Sequence, residues 1–326
     1  MAHLVESMAY VGATPWHGLG NELDEHQPLE VWAQQAGMNW QIEEAPVHFM
    51  TPPKPKMSFG DLLAYPDHKV LYRSDTLEPL SVVGQRYQVV QPEAILEFYR
   101  DLTEVAGFEL DTAGVLKGGR KLWALARTGQ SARIQGQDQI DGYLLLATAC
   151  DGSMATTAQF TSVRVVCNNT LAVSLREGSS QKAVPCVKVP HNTRFDAEAV
   201  KKQLGVSVSG WTSFMDQLKE LSYRKIKPRE AEHYLTQLLI KPDHPQPEKA
   251  NRKAIERILE LYNGKARGSH FKSSEGTAFG LLNAVTEYVD HEKRARSQDN
   301  RLDSAWFGQG ASLKQKALDQ AMALVS

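Results

Sequence analysis

Basic side chains interleaved with a tryptophan are the residues of this sequence whose types and spacing best fit a binding function. Lys121, Trp123 and Arg127 occupy alternate positions of an extended segment, so their side chains would project from one face. Cations there would neutralise phosphates while the indole stacks on a base, which is how proteins hold single strands without reading sequence. The sequence therefore predicts a surface for single-stranded DNA or RNA made by Lys117, Arg120, Lys121, Trp123, Arg127, Arg133 and Arg164.

A second interpretation of the same residues needs no ligand. Trp123 would then pack inward, as large aromatic residues often do, and the cations would only decorate a hairpin. Another basic group, in the last third of the chain, is typical of solvated helix ends, where cations complement the helix dipole. Its members are Arg224, Lys225, Lys227, Arg229, Lys249, Arg252, Lys253, Lys265, Arg267, Lys293, Arg294 and Arg296.

The groups that could perform covalent chemistry do not fall into a known pattern. The sequence contains no GxSxG, HExxH, Walker or dinucleotide-binding motif. Asp290-His291-Glu292 could bind a metal together with Asp299 or Asp303, but the spacing matches no defined metal site. We therefore expect no catalytic residue, no metal and no cofactor. An unrecognised hydrolase or nuclease stays open as an alternative.

The three cysteines are Cys150, Cys167 and Cys186, and we expect all three to lie on strands. They show neither CxxC nor Cys/His spacing, so disulfides and zinc are not expected. We interpret them as small buried hydrophobic residues.

Charge is distributed unevenly along a chain whose net charge is only −1. Residues 1–113 contain 6 Lys and Arg against 17 Asp and Glu, whereas residues 114–326 contain 31 against 21. An acidic front and a basic rear predict a polyanion partner or head-to-tail self-association. An ordinary solvated surface is the alternative.

Strand patterns dominate the first part of the chain and helix patterns the last. The segments Phe108–Val115, Lys121–Ala126, Asp141–Cys150 and Gln159–Cys167 predict a four-stranded meander. Other strands are predicted near residues 40–49 and over Lys69–Arg73 and Leu80–Val83, with a proline-rich loop over Thr51–Lys56 and a polar loop over Gly129–Gln139. Helices are predicted over Pro28–Gly37, Pro92–Ala106, Phe195–Tyr223, Pro228–Leu239, Glu248–Tyr262, Thr277–His291 and Ser312–Val325.

These elements predict an α+β fold in which an antiparallel β-meander with packed helices precedes an all-α C-terminal region. The change of character near residue 192, together with the helical segments beyond it, predicts two domains, residues 1–191 and 192–326. Asn168 and Asn169 are suitable N-cap residues, so the sequence also predicts a helix that begins at Thr170-Leu171.

The stretch Tyr143–Arg176 contains sequence motifs that are more distinctive than its composition. It contains a DGS turn, Asp151-Gly152-Ser153, followed by FTSVRVVCNNTL over residues 160–171. This resembles the phage- and plasmid-related proteins grouped as domain of unknown function 932. The resemblance also rests on four short motifs, each called a phrase below: PWHGLG at 15–20, VGQRY at 83–87, NAVTEYVDH at 283–291 and SAWFG at 304–308.

The resemblance spans nearly the whole chain, and it implies a mobile-element setting but no reaction and no catalytic residues. A sheet followed by a helix is also similar in outline to the fold of single-strand annealing recombinases. We therefore expect a homo-oligomer that binds single-stranded nucleic acid and promotes strand annealing in mobile-element DNA metabolism. The alternative is a protein-interaction or anti-defence factor.

Hydropathy excludes an integral membrane protein from these expectations. No window approaches the eighteen or so uncharged apolar residues needed to span a bilayer, and the first residues lack the basic end and apolar centre of a secretory signal. The sequence thus predicts a soluble, cytoplasmic protein.

Overall fold

The computed structural model of the chain describes residues 5–12, 20–53, 55, 59–167, 169–173, 186–204, 208–240 and 251–325. The phrase PWHGLG, apart from its final glycine, lies outside the described residues, as do Asn168 and the proline-rich segment 241–247. Within the described residues the fold is α+β, as predicted.

The strands are β1 Val5–Val11, β2 Asn21–Leu23, β3 Ile42–Met50, β4 Leu62–Arg73, β5 Pro79–Gly84, β6 Glu109–Leu116, β7 Lys121–Ile134, β8 Asp138–Ala149, β9 Thr156–Arg164, β10 Asn169–Ala172 and β11 Cys186–Val189. The helices are α1 Leu29–Gln35, α2 Pro92–Ala106, α3 Ala197–Leu204, α4 Val208–Tyr223, α5 Pro228–Leu239, α6 Arg252–Glu260, α7 Ala278–Glu287, α8 Gln298–Phe307 and α9 Gln309–Met322.

The larger sheet has eight strands in the order β10-β9-β8-β7-β6-β1-β2, with β11 paired to β9. Strands β6 to β9 are the predicted meander, and the DGS turn joins β8 to β9. In that turn the Asp151 carboxylate accepts the Ser153 N–H at 2.9 Å and Gly152 takes a φ of 73°. The smaller sheet has the order β3-β4-β5.

By packing, the chain divides into two compact units. Unit 1 comprises Met1–Ala126, Leu145–Ala158 and Cys186–Gln203, and unit 2 comprises Arg127–Leu144, Gln159–Pro185 and Leu204–Ser326. A domain boundary near residue 192 stays a prediction. No helix in the described part of the chain combines the length and the apolar character needed to cross a bilayer.

Helix α2 begins and ends where the sequence indicates. Pro92 occupies the first turn, where its missing N–H costs no hydrogen bond. Gly107 ends the helix with a φ of 66°, a conformation that a residue with a Cβ adopts only with strain. Inside unit 1 the helix buries Ile95, Phe98 and Tyr99, and the Tyr99 hydroxyl donates to the Ala124 carbonyl of β7 at 2.8 Å.

The predicted polar loop over Gly129–Gln139 is wrong. Strand β7 continues to Ile134 and β8 begins at Asp138, so only a short turn separates them. Gln135 and Gly136 close this turn, both with positive φ. The prediction failed because the strand is exposed on one face there, and polar residues on an exposed face resemble a loop in sequence.

The predicted helix at Thr170-Leu171 is also wrong. Residues Asn169–Ala172 form β10, and Thr170 pairs with Val163 of β9 in an antiparallel register. The Thr170 N–H donates to the Asp290 carboxylate at 2.9 Å instead of entering a helix. Pairing across the hairpin therefore overrides the local capping signal.

One further helical segment differs from the predictions. Within residues 195–223 the structure describes α3 and α4, and residues 205–207 between them lie outside the described residues. Helix α8 was not predicted; it begins after Ser297, whose hydroxyl accepts the Asn300 N–H at 3.2 Å, and the phrase SAWFG lies at its C-terminal end. Its apolar positions are sparse, which is why its periodicity is weak in sequence.

Candidate nucleic-acid interface

The seven residues predicted to bind nucleic acid differ in exposure. Lys121, Trp123 and Arg164 are buried, at 6%, 2% and 3% exposed. Lys117 is half-buried, and the side chains of Arg120, Arg127 and Arg133 are exposed. The set therefore does not form one continuous wet face in this structure.

Trp123 packs inward, as the second interpretation of the sequence had it. In unit 1 every residue of β7 from Lys121 to Ala126 is buried, so both faces of the strand are covered there. Alternation along a strand selects one face, but it does not tell whether that face meets water. The indole is thus a core residue in this structure and not a stacking platform.

Arg164 lies at the centre of a buried polar network in unit 2. Its Nε and Nη2 donate to the two carboxylate oxygens of Asp138 at 2.8 and 2.6 Å, a bidentate pair. Nη2 also donates to the Ser274 hydroxyl at 2.8 Å and the Gly268 carbonyl at 3.2 Å. Ser273 donates to Asp138 at 2.5 Å. The guanidinium is fully used inside the protein, so it cannot also bind a phosphate without breaking this network.

A second buried pair joins strand β10 to helix α9. Lys314 Nζ donates to Asp290 Oδ1 at 2.6 Å and to the Thr170 hydroxyl at 2.8 Å. Thr170 in turn donates to Asp290 Oδ2 through its N–H at 2.9 Å and its hydroxyl at 3.2 Å. Burial lowers the pKa of Lys314, and the neighbouring Asp290 carboxylate opposes that effect.

The three side chains of Asp290-His291-Glu292 point to different partners. Asp290 binds Lys314, His291 Nε2 lies 2.9 Å from the Cys167 carbonyl, and Glu292 binds the Arg257 guanidinium at 2.6 Å. Burial lowers the pKa of His291. Cys167 and Thr170 of the β9–β10 hairpin thus contact His291 and Asp290, and these contacts tie the hairpin to the helical part of unit 2.

Cys167 lies in the turn between β9 and β10 and is 2% exposed. Burial raises the pKa of its thiol to about 12, so the thiolate is scarce at neutral pH. Cys167→Ala should cost about 1–2 kcal/mol of unfolding free energy through lost packing. Urea unfolding measures this loss, and thiol labelling of the native protein should be slow. Rapid labelling of native Cys167 would contradict its structural role.

The exposed cations that remain lie mainly in unit 2. Strand β7 exposes every second residue at its C-terminal end, namely Arg127, Gly129, Ser131 and Arg133, so these four share one solvent-exposed face. The β7–β8 turn follows directly. Gln135 Nε2 donates to the Ser222 carbonyl at 2.9 Å and to the Ser222 hydroxyl at 3.2 Å. These bonds place the hairpin tip beside the connection between α4 and α5.

That connection carries an exposed aromatic residue among cations. Tyr223, next to Ser222, is 72% exposed. Lys225, Lys227 and Arg229 follow at alternate positions, and all three are exposed. Lys225 Nζ donates to the Glu275 carbonyl at 2.8 Å, a bond that leaves its charge uncompensated. We call Arg133, Tyr223, Lys225, Lys227 and Arg229 the basic-aromatic surface.

Sequence reasoning missed Tyr223 and assigned its neighbours to ordinary solvated helix ends. A signal was present, because SYRKIKPRE places a tyrosine directly before cations at every second residue. The juxtaposition with Arg133 depends on the Gln135–Ser222 contact, which joins positions 87 residues apart and has no local signature.

Lys117 and Arg120 lie in unit 1 at the turn between β6 and β7. Gly118 and Gly119 form this turn with φ values of 68° and 96°. A Cβ on Gly119 would approach the Trp40 ring to 3.0 Å, so the turn packs closely on the core of unit 1. The turn presents the Arg120 side chain to solvent.

The phrase VGQRY lines a cleft of about 530 Å³ in unit 1. The Tyr87 ring stacks on His191 at a centroid distance of 4.5 Å, and its hydroxyl donates to the Ala149 carbonyl at 2.6 Å. His191 Nδ1 lies 3.0 Å from the Gln88 carbonyl. These contacts hold the chain in place before α2, so the VGQRY residues have a structural role there.

Residues 79–306 match the family model described as Domain of unknown function (DUF932). This range includes strands β6 to β10, the Arg164–Asp138 pair with its serine partners, and the basic-aromatic surface. Comparison with curated proteins and with solved structures gave no match.

Proposed function

Because this chain belongs to the DUF932 family, whose description assigns no function, we propose a function from its own surface: the basic-aromatic surface binds single-stranded nucleic acid. The observation that carries this proposal is the exposed Tyr223 beside Lys225, Lys227 and Arg229. Arg133 is included because it stands two residues before Gln135, which bonds to Ser222. The phenol ring would stack on a base while the cations contact phosphates on either side of it.

The local charge balance supports this assignment. Arg224 is occupied by Glu230 and by the Leu324 carbonyl, so it serves the fold. Lys227 and Arg229 make no ion pair within the described residues, and both stand at the first turn of α5. Cations repel a helix N-terminus, where the dipole is positive. Glu230 stands in the same turn and offsets part of this unfavourable charge, and a bound polyanion would offset the rest.

Mobile-element DNA metabolism and strand annealing are the finer parts of the proposal. They rest on the resemblance to phage- and plasmid-related proteins alone, because strand β10 stands where the sheet-plus-helix outline had its helix. No covalent chemistry is needed for them. Annealing would require that bases stay accessible, which stacking on a single surface tyrosine allows.

The test is a titration of the intact protein against a labelled oligothymidylate at several salt concentrations. Arg133→Gln, Lys227→Gln and Arg229→Gln combined should lower the slope of log affinity against log salt by about 2, because three phosphate contacts no longer release counterions. Tyr223→Ala should weaken binding by ~1–3 kcal/mol with an unchanged slope, since stacking releases no ions.

The matched control is the triple variant Arg294→Gln, Arg296→Gln and Lys316→Gln, which removes the same charge from exposed positions outside the set. Equal weakening by both triple variants would reduce the effect to net charge. No binding by the wild-type chain at low salt would refute the proposal outright. A labelled duplex of the same length distinguishes single-strand from general polyanion binding.

A protein-interaction or anti-defence factor is the second candidate, and one observation favours it. A group of large apolar side chains lies exposed on the smaller sheet of unit 1, where it is suited to protein contact. A chain that binds no oligonucleotide but retains a protein partner would support this candidate.

A further inference from the structure

Strands β3 and β4 extend beyond the rest of the smaller sheet as a two-stranded arm. Val47, His48, Phe49 and Met50 pair with Tyr65, Ala64, Leu63 and Leu62 in an antiparallel register. Strand β5 joins β4 only from His68 onward, where His68 pairs with Gly84. We call residues Val47–Met50 and Leu62–Tyr65 the β3–β4 arm. It precedes the stretch that matches the DUF932 model.

Both faces of the arm expose large apolar side chains, and His48 is the polar residue among them. Directly paired residues share a face, so Phe49 lies with Leu63 on one side, and Met50 with Leu62 on the other. Phe49 and Leu63 are 49% and 44% exposed, and Met50 and Leu62 are each 64% exposed. Phe59, between the two strands, is 76% exposed. A strand at a sheet surface normally alternates apolar and polar residues, and this arm does not.

Such an arm is not expected to remain uncovered in water. A two-stranded ribbon alone is marginally stable, because it buries little apolar surface and its outer edges lack partners. The exposed parts of the arm and of Phe59 amount to roughly 700 Å² of side-chain surface. The two faces share this area, so one face alone supplies roughly half of the ~800 Å² that each partner contributes to a standard protein interface, and a contact that covers both faces approaches that value.

The chemistry of the arm favours faces over edges as the contact. Pro46 interrupts β3 and Pro66 interrupts β4, each next to the arm, and a proline cannot donate to a further strand. Edge-to-edge growth into an open sheet is thereby opposed, as it is in natural edge strands. Packing of the apolar faces of the arm against a second copy meets no such obstacle.

We infer that the β3–β4 arm is the contact through which two copies of this chain associate. A two-fold contact places the same patch on both partners, so the patch must tolerate itself. The eight arm residues include no Asp, Glu, Lys or Arg, so two arms meet without repulsion between like charges. This contact is independent of the nucleic-acid proposal, and it differs from the charge-driven head-to-tail assembly that the sequence predicts.

The test measures mass in solution by sedimentation at micromolar concentrations, in low salt and in about 1 M salt. The wild-type chain should exceed its monomer mass of 36.3 kDa in both conditions, because an apolar contact is not screened. Phe49→Thr with Leu63→Thr should return the mass to 36.3 kDa, since threonine keeps the strand propensity while removing the apolar face. Val82→Thr, at an apolar residue of β5 that is 60% exposed and lies outside the arm, is the matched control.

Three results would overturn the inference: a wild-type monomer, an oligomer that dissociates in high salt, or an oligomer unaffected by the double variant. If that variant fails to fold, hydrogen exchange on the wild-type chain decides instead. Protection of amides in Val47–Met50 and Leu62–Tyr65 should increase with protein concentration, and concentration-independent exchange there would reject the contact. A monomer whose arm is protected only by another macromolecule would assign the surface to a different partner.

Discussion

Arg164→Met should lower the free energy of unfolding by about 3–5 kcal/mol, because it leaves the Asp138 carboxylate buried without its cation. Asp138 is 1% exposed and accepts both guanidinium bonds, so water cannot replace the lost donors. Ser273 still donates to the carboxylate, and that single bond compensates only part of the loss. Urea unfolding followed by circular dichroism measures the change.

Two variants separate this effect from a general loss of charge. Arg133→Met removes an exposed guanidinium from the neighbouring part of the sheet and should change the unfolding free energy by less than about 0.5 kcal/mol. Asp138→Asn combined with Arg164→Met removes both charges and should recover much of the loss, since a neutral pair is cheaper to bury than an isolated ion. A fully stable single variant would mean that Arg164 is not bound as the structure places it.

The same variant bears on function. If Arg164 serves only the fold, the folded fraction of Arg164→Met should bind oligothymidylate with the wild-type salt slope. A reduced slope would instead return Arg164 to the phosphate-binding set that the sequence predicts.

Arg164 illustrates what one sequence can and cannot disclose. Its position in a β-branched strand was readable, and so was its basic character. Its burial depends on Asp138 and Ser274, which lie 26 and 110 residues away, and no local pattern encodes such distant partners. A cation in a strand is therefore ambiguous between an interface and a buried ion pair until the fold is known.

Elements set by local chemistry were predicted well. Helix α2 has an N-terminal proline, an amphipathic pattern and a terminal glycine, and its bounds agree with those of the structure. The DGS turn likewise depends on the Asp151 side chain and on the freedom of Gly152. Strand β10 failed the same reasoning because its pairing with β9 outweighs the capping preference of asparagine.

For the exposed part of the candidate site, the sequence shows the residue types but not which residues come together. The cations at Lys225, Lys227 and Arg229 were visible in the sequence, but their association with Arg133 requires the Gln135–Ser222 contact. Only one strand of the β3–β4 arm was predicted from the sequence, because Val47 and Phe49 were assigned to a strand, whereas Leu62–Tyr65 was not. Its two apolar faces depend on the pairing register, which sequence alone does not define.

Asp290→Asn should make the stability of the protein rise with pH much more steeply than that of the wild type. Burial lowers the pKa of Lys314, and the Asp290 charge opposes that shift, so its removal lowers the pKa further. Between this folded-state pKa and the ordinary value of 10.5, the unfolded chain binds one more proton than the folded chain. Unfolding free energy then increases with pH, by at most about 1.4 kcal/mol per unit.

Urea unfolding at pH values between about 7 and 9 measures the slope of unfolding free energy against pH. His291 does not contribute in this range, because burial lowers its pKa below the ordinary value of 6.5. Asp290→Asn combined with Lys314→Met is the control, since it removes the titrating amine and should abolish the added slope. Parallel pH profiles for Asp290→Asn and the wild type would show that Lys314 stays charged without its partner. The amine would then have to reach water, which contradicts its 4% exposure and its bonds to Asp290 and Thr170.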